Sequence, residues 1–286
     1  MPHPKNIGRL ICFGDLCIDI VARIPEFSPA ESDTNIETLA VRPAGAALNV
    51  AIAAAESGAD VQLIGLVGND AFGAMILAEV NAARVSTSLV KHCPDRTGTV
   101  ISLVRPDGER TLLSYRGANQ QPYGALPSEL LTSADYLYLS GYSMQHPASA
   151  ATACRLKSLA KTVAFDPSYH FARSAFDQEF LAGLHIITPN LEEARLMTGQ
   201  TTPAECASAL RELGIEIVVI TLGSEGCYLD TGDHKKLIPT TPATAADTTG
   251  AGDTFCGTLL AKCLQGHDIL TAAEMANQAA RRRVCN

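Results

Sequence analysis

Several common signatures are missing from this chain, and each absence removes a class of function. None of the nine cysteines, at 12, 17, 93, 154, 206, 227, 256, 263 and 285, forms a Cys-x-x-Cys pair, and the count is odd. That pattern supports neither a zinc site nor a disulfide framework. Several cysteines fall at apolar strand or helix positions, where a free thiol behaves as a small hydrophobe, so a reducing, cytoplasmic setting is expected. No G-x-x-x-x-G-K-[ST] stretch occurs, and no G-x-G-x-x-G opens a helix after the first strand. A Walker-type nucleotide site and a dinucleotide enzyme are therefore not supported. The triplet Arg281–Arg283 is the one basic cluster in a chain of net charge −8, so neither nucleic acid nor a membrane is an expected partner. The apolar run after Arg9 is short and broken by Asp15 and Asp19, which is no signal peptide or membrane span.

What is present reads as a compact α/β protein. At 286 residues, 47% hydrophobic and 18% charged, the chain can bury a large core. Short apolar strands alternate with amphipathic helices, which argues for a largely parallel sheet covered on both faces. Strands are expected at Arg9–Gly14, Val61–Gly65, Tyr136–Ser140, Thr162–Asp166, His185–Thr188 and Ile215–Thr221. Helices are expected over 46–57, 71–82, 148–160, 191–197 and 203–213. Two stretches, about 18–43 and 97–116, carry strands without helices, the second around a Pro106-Asp107-Gly108 turn. Alternating strands about such a turn signal a hairpin. The two stretches are expected to form one small antiparallel sheet projecting from the body. No repeat, low-complexity segment or long linker divides the chain, so 1–286 reads as a single domain.

The most informative segment is Asp247-Thr-Thr-Gly250-Ala251-Gly252-Asp253, followed at once by apolar residues at helical spacing. The first amides of a helix have no helical partner, and small side chains let an anion close on them with help from the helix dipole. A carboxylate beside such a nest can take a proton while the nest holds negative charge, which suits phosphoryl transfer to a hydroxyl. Plain N-capping would explain Asp253 but not the whole segment. The stretch resembles the Asp-Thr-x-Gly-Ala-Gly-Asp signature of the ribokinase-like (PfkB) carbohydrate kinases. The resemblance implies a ribokinase-like fold, a mainly parallel doubly wound sheet flanked by helices, with a small antiparallel β lid that often mediates a homodimer. It also implies Asp253 as base and the Gly250–Gly252 amides as anion hole.

Other motifs follow the same resemblance. Gly45 and Asn49 sit in Ala44-Gly45-Ala-Ala-Leu-Asn49, similar to the Gly-Gly-x-x-x-Asn substrate segment with Ala44 in place of the first Gly. Asp15 and Asp19 follow the first strand, where open α/β sheets bind ligands, and Asp19 fits the sugar-binding Asp better by spacing. Asn190 and Glu193 resemble an Asn-x-x-Glu motif that implies Mg²⁺ held through water by Glu193 and phosphates near Asn190. Mg²⁺ commonly uses one or two carboxylates and several waters. Thr221, Gly223 and Gly226 look like the nucleotide loop, and Asn277 like a nucleotide contact on the last helix. The ATP-dependent phosphorylation of a primary hydroxyl on a sugar or sugar derivative is the implied activity. A nucleoside kinase of the same fold, or a ribokinase-like binding or regulatory protein, stands as the alternative.

The departures are specific. Asp166-Pro-Ser168-Tyr-His170 stands where relatives carry Asp-x-Asn-x-Arg, leaving Arg105 and Arg116 as alternative sources of the missing charge. Tyr115-Arg116 resembles the Tyr-Arg that meets the carboxylate of keto-deoxygluconate in kinases of that acid, so an acidic acceptor is an option beside neutral sugars and nucleosides. Relatives continue through a Gly-Ala loop that completes a purine pocket and a monovalent-cation site. This sequence stops at Asn286, so a shortened chain and an absent loop both remain open, and no monovalent cation is assigned.

Overall fold

A computed structural model describes residues 8–27, 33–127, 130–131, 135–174, 178–241 and 248–285. Its centre is a nine-stranded sheet. The strands are β1 (Leu10–Phe13), β4 (Val61–Gly68), β5 (Ser86–Cys93), β8 (Tyr136–Ser140), β9 (Thr162–Asp166), β10 (Ile186–Ile187), β11 (Ile217–Thr221), β12 (Cys227–Asp230) and β13 (Lys235–Ile238). They lie in the order β13-β12-β11-β10-β9-β8-β1-β4-β5. From β11 across to β5 every neighbouring pair is parallel, and β12 and β13 close one edge antiparallel.

Apart from edge strand β5, the parallel strands are buried on both faces, which is why they read as apolar runs. In β1, Leu10 and Cys12 join one core while Ile11 and Phe13 join the other. The first core is closed by α1 (Ala46–Glu56), α2 (Ala71–Ala82), α8 (Ala251–Leu264) and α9 (Ile269–Cys285). The second takes α3 (Pro147–Leu159), α4 (Ser168–Arg173), α5 (Gln178–Leu181), α6 (Leu191–Thr198) and α7 (Pro203–Glu212). The α8 face is tight: a Cβ on Gly257 would lie 2.4 Å from Val50 O. That close approach sets the start of α8 beside α1. Among the described residues no helix is long and apolar enough to cross a membrane, and all nine cysteines are free.

The helix-free stretches form a separate four-stranded sheet from β2 (Cys17–Arg23), β3 (Thr38–Ala44), β6 (Gly98–Val104) and β7 (Arg110–Tyr115), ordered β3-β2-β6-β7. The pairs β2–β3 and β6–β7 are antiparallel as expected, and the two are joined by parallel pairing of β2 with β6. Both β2 and β6 run outward from the body, which makes their contact parallel.

The sequence reading placed most core strands and needs correction at the edges. The strand starting at Val61 runs on to Gly68, the one near His185 shortens to Ile186–Ile187, and β11 begins at Ile217. Edge strand β5 and the short pair β12–β13 were not anticipated. The exposed or half-exposed residues of β5 and β13 dilute the apolar signal.

Candidate active site

The connections give the sheet a switch point. From β1 the chain builds outward through β4 and β5, then returns to lay β8 to β11 on the other side. Carboxyl ends diverging in this way leave a crevice where open α/β sheets take ligands. Asp15, Asp166, Thr188 and Thr221 all stand at or just past strand ends here.

A cavity of about 190 Å³ occupies the crevice, lined by Asp166, Ser168, Glu193, Gly250, Gly252 and Asp253 among others. Gly250 precedes α8 in the left-handed conformation, φ 77°, which glycine adopts without strain. Its carbonyl accepts from Thr254 N at 2.9 Å and from Thr254 Oγ1 at 2.8 Å, fixing the first turn. The Ala251 N–H bonds Thr248 O at 3.2 Å. Among the described residues the Gly250, Gly252 and Asp253 N–H groups find no acceptor. Of the expected Gly250–Gly252 set, Ala251 is thus engaged, and the Asp253 N–H is open beside Gly250 and Gly252. Asp247 lies outside the described residues.

Asp253 is the junction of the site. Asn49 Nδ2 donates to its Oδ2 at 2.7 Å, a contact made possible by the α1–α8 packing. Burial pushes the Asp253 carboxyl up to about 6, opposed by the Asn49 hydrogen bond and by Arg283, and reinforced by Asp19. Asp166 is pushed well above the usual carboxylate range, first by burial and then by Glu193 and Asp253. Burial also raises Glu193, a residue only 7% exposed. Glu193 Oε2 accepts from Asn190 N, and Asn190 Oδ1 accepts from Glu193 N, both at 2.9 Å. This capping box starts α6 and holds Glu193 against the cavity, so it is not a solvated helix residue. Two raised carboxyls lining one cavity favour a cation. Asp166 was not singled out in the sequence, although a carboxylate at the carboxyl end of a parallel strand was the signal for its place in the cavity wall.

A second group of charged side chains comes from the smaller sheet and its junction with the body. Arg116 Nη2 forms an ion pair with Asp15 Oδ2 and also donates to Tyr142 O at 3.0 Å, while Nη1 donates to Gln145 at 3.3 Å. Burial lifts Asp15 to about 6 against the pull of Arg116. Asp19 on β2 faces Arg42 across the β2–β3 pair and is raised by burial, with Arg42 opposing. Gly45, φ 123°, packs so closely that a Cβ would lie 2.2 Å from Asp15 O. Its identity is explained by chain packing before any acceptor is considered. Arg105 is held by Asp107 and Glu109 at the β6–β7 turn, the opposite end of the hairpin from Arg116. Neither of the two arginines considered for the missing charge lines the 190 Å³ cavity.

A second cleft of about 220 Å³ adjoins the first and shares Thr221, Gly252 and Phe255 with it. Gly223, Gly226 and Asn277 line it, as does Arg281, whose Nε donates to Thr241 O at 3.1 Å. Asn277 Nδ2 is spent on Ile238 O at 3.0 Å, leaving its carbonyl oxygen for a ligand. Gly226 is required by the fold, since a Cβ would lie 2.1 Å from Ile238 O, whereas Gly223 faces open space. Asn190 is exposed at the Thr221 bridge between the two cavities. Ala280 and Val284 supply an apolar wall that was not singled out from sequence, although Asn277, Ala280, Arg281 and Val284 recur at helical spacing.

The pfkB family carbohydrate kinase profile matches residues 8–285. The chain belongs to that family. It is accordingly an ATP-dependent carbohydrate kinase, the enzyme class expected from its signature. A sugar kinase of Archaeoglobus fulgidus, itself uncharacterised, is 30% identical over 224 residues, covering 77% of this chain and 89% of that protein. A ribokinase of Staphylococcus aureus is 29% identical over 285 residues, covering 95% and 92%. The crystal structure of a ribokinase from Thermotoga maritima superposes with a TM-score of 0.82 at 25% identity, covering 97% of this pfkB-family chain and 93% of the other. The expected ribokinase-like fold is thereby borne out.

Proposed function

We propose that this kinase transfers the terminal phosphoryl group of ATP to a primary hydroxyl of a neutral sugar. The reading rests above all on Asp253, which is hydrogen-bonded to Asn49 at the open start of α8 and shares one cavity with Asp166 and Glu193. The adjoining cleft suits the nucleotide, with Thr221, Gly223, Gly226 and Asn277 around it. The acceptor lies toward Asp19, Gly45 and Asn49. Its oxygen attacks the terminal phosphorus, the bond to the bridging oxygen breaks, and ADP departs with that electron pair. The hydroxyl proton goes to Asp253, while the unpartnered amides around Gly250–Gly252 hold the charge of the phosphoryl oxygens. A carboxylate of pKa near 6 is a weak base toward an alcohol, so the proton moves late and positioning carries most of the catalysis.

Two adjacent raised carboxyls, Asp166 and Glu193, fit Mg²⁺, which keeps several waters and binds through one or two carboxylates plus phosphates. Bound there, the metal would supply charge neutralisation for the triphosphate. No monovalent cation is assigned. The four-stranded sheet is read as a lid on one kinase domain spanning 1–286, closing over the acceptor and excluding water. A second copy of the chain is read as the partner for its apolar face.

Arg116 is relevant to the acceptor class. Its fork is already engaged by Asp15 and Tyr142 O, which favours a neutral polyhydroxyl acceptor over a sugar acid. The test is ATP consumption across neutral pentoses, hexoses, nucleosides and sugar acids, with and without Mg²⁺. Turnover with a neutral sugar is expected. Turnover confined to sugar acids or nucleosides would overturn the acceptor class, and tight sugar binding without turnover would favour a binding protein.

A further inference from the structure

The cavity assigned to the transferred phosphate has an electrostatic deficit. Among the described residues its lining includes three carboxylates, Asp166, Glu193 and Asp253, and no lysine or arginine. Position 168, which opens α4 just past β9, offers only a neutral hydroxyl. Ser168 sits at φ 61°, is 4% exposed and lines the cavity with its Oγ buried and unpartnered. His170 is exposed and does not line it. A phosphoryl group passing through with charge spread over its oxygens calls for a fixed positive partner.

A cation close to the cavity comes from the other end of the chain. The helices α8 and α9 are joined by a short loop at residues 265–268 and pack as an antiparallel pair. The last turn of α9 therefore returns beside the first turn of α8. Ala276, Ala280 and Arg283 follow one stripe of α9 at i, i+4 and i+7, and Ala280 already lines the nucleotide cleft. A methyl group placed on Gly250 would lie 3.8 Å from Arg283 Nε, 4.0 Å from its Nη2 and 4.0 Å from Asn49 Nδ2. Among the described residues Arg283 forms no hydrogen bond or ion pair. Arg116, Arg105 and Arg281 are each committed elsewhere. The guanidinium also offsets the partial negative charge that the carbonyl end of α9 brings toward the site.

We propose that Arg283 contacts the terminal phosphoryl group of the bound nucleotide from the Gly250 side and supplies the positive charge that the cavity wall lacks. This rests on the kinase reading above. The guanidinium donates to the phosphoryl oxygens and neither gains nor loses a proton; the acceptor proton still goes to Asp253 and ADP still leaves with the bridging electron pair. A second consequence concerns Asp253, which the Arg283 charge pulls down against burial. Removing that charge should raise the Asp253 pKa and move the acid limb of the rate profile to higher pH.

The test compares the full chain with Arg283→Ala and Arg283→Lys. Arg283 is exposed, so thermal unfolding of both variants is expected to match the wild type. Calorimetric titration with ADP and with the non-hydrolysable analogue AMPPNP should show ADP affinity unchanged in Arg283→Ala and AMPPNP weakened about tenfold. Turnover should fall about 10²-fold with the acceptor KM nearly constant, and Arg283→Lys should recover part of both losses. Equal weakening of ADP and AMPPNP, or AMPPNP affinity and turnover within twofold of wild type, would overturn the proposal. A wild-type chain that phosphorylates no sugar would defeat the kinase reading instead, while the two-nucleotide comparison would still decide Arg283.

Discussion

The two sheets of this molecule are both rich in branched apolar residues, yet they end in opposite situations. In the nine-stranded sheet Leu10, Ile11, Leu137 and Leu139 are fully buried between helices. In the four-stranded sheet one cross-strand row sets Val41, Ile20, Ile101 and Leu113 side by side, and Leu113 remains 53% exposed. The difference separates two jobs. The groups proposed to act on the phosphate, Asp166, Glu193 and Asp253, sit on strand ends and helix starts of the large sheet, where packing fixes geometry. Groups toward the acceptor, Asp19 and Arg116, belong to the small sheet or its junction. There the apolar row stays open to solvent.

The sharpest way to break this comparison is Asp253→Asn. Turnover is expected to fall about 10²–10⁴-fold while nucleotide binding persists. Stability should move the other way. The folded carboxyl titrates near 6, above its unfolded value, so its contribution is greatest below about pH 3.9 and is lost as pH rises through 6. At pH 7 the amide escapes the cost of a half-buried charge, and about 1–2 kcal/mol of stabilisation is expected, after discounting for solvent access. Near-native turnover in this variant would remove Asp253 as the base; unchanged stability would remove burial as the cause of its shift.

Glu193→Gln is the intermediate case. Glutamine keeps the capping box with Asn190 but loses the charge, so the Mg²⁺ concentration for half-maximal rate should rise about tenfold. An unchanged metal titration would leave Glu193 with the helix-capping role alone.

How much of this was readable in advance differs between the two sheets for a physical reason. Strands buried on both faces, such as Leu10–Phe13 and Tyr136–Ser140, announce themselves as apolar runs. The Asp253 segment was legible because glycines and carboxylates at a helix start have few structural uses together. Ser86–Cys93 was not legible, because an edge strand carries lysine and histidine among its apolar residues. The fork of Arg116 looked free for an acidic ligand in sequence; its Asp15 partner lies 101 residues away in the chain. Arg283 was visible as part of a basic triplet, but its place beside Gly250 depends on the α8–α9 pairing, which no local pattern encodes.

The smallest effect belongs to the outer sheet. If a second copy covers the exposed row, sedimentation should show a dimer, and Leu113→Lys should weaken it at least about tenfold with little change in the unfolding temperature of the monomer. A wild-type chain that stays monomeric at micromolar concentration would assign the row to lid closure alone.

The central claim is that a carboxyl raised by burial takes the acceptor proton, and the dependence of kcat/KM on pH tests it most directly. Because Asp15 also titrates near 6, the profile should be measured for both the wild type and Asp15→Asn. An acid limb near pH 6 is expected in both, with the rate falling about tenfold per pH unit below it. A rate flat down to about pH 4.5, as an unperturbed carboxylate would give, or a limb that disappears with Asp15, would contradict it.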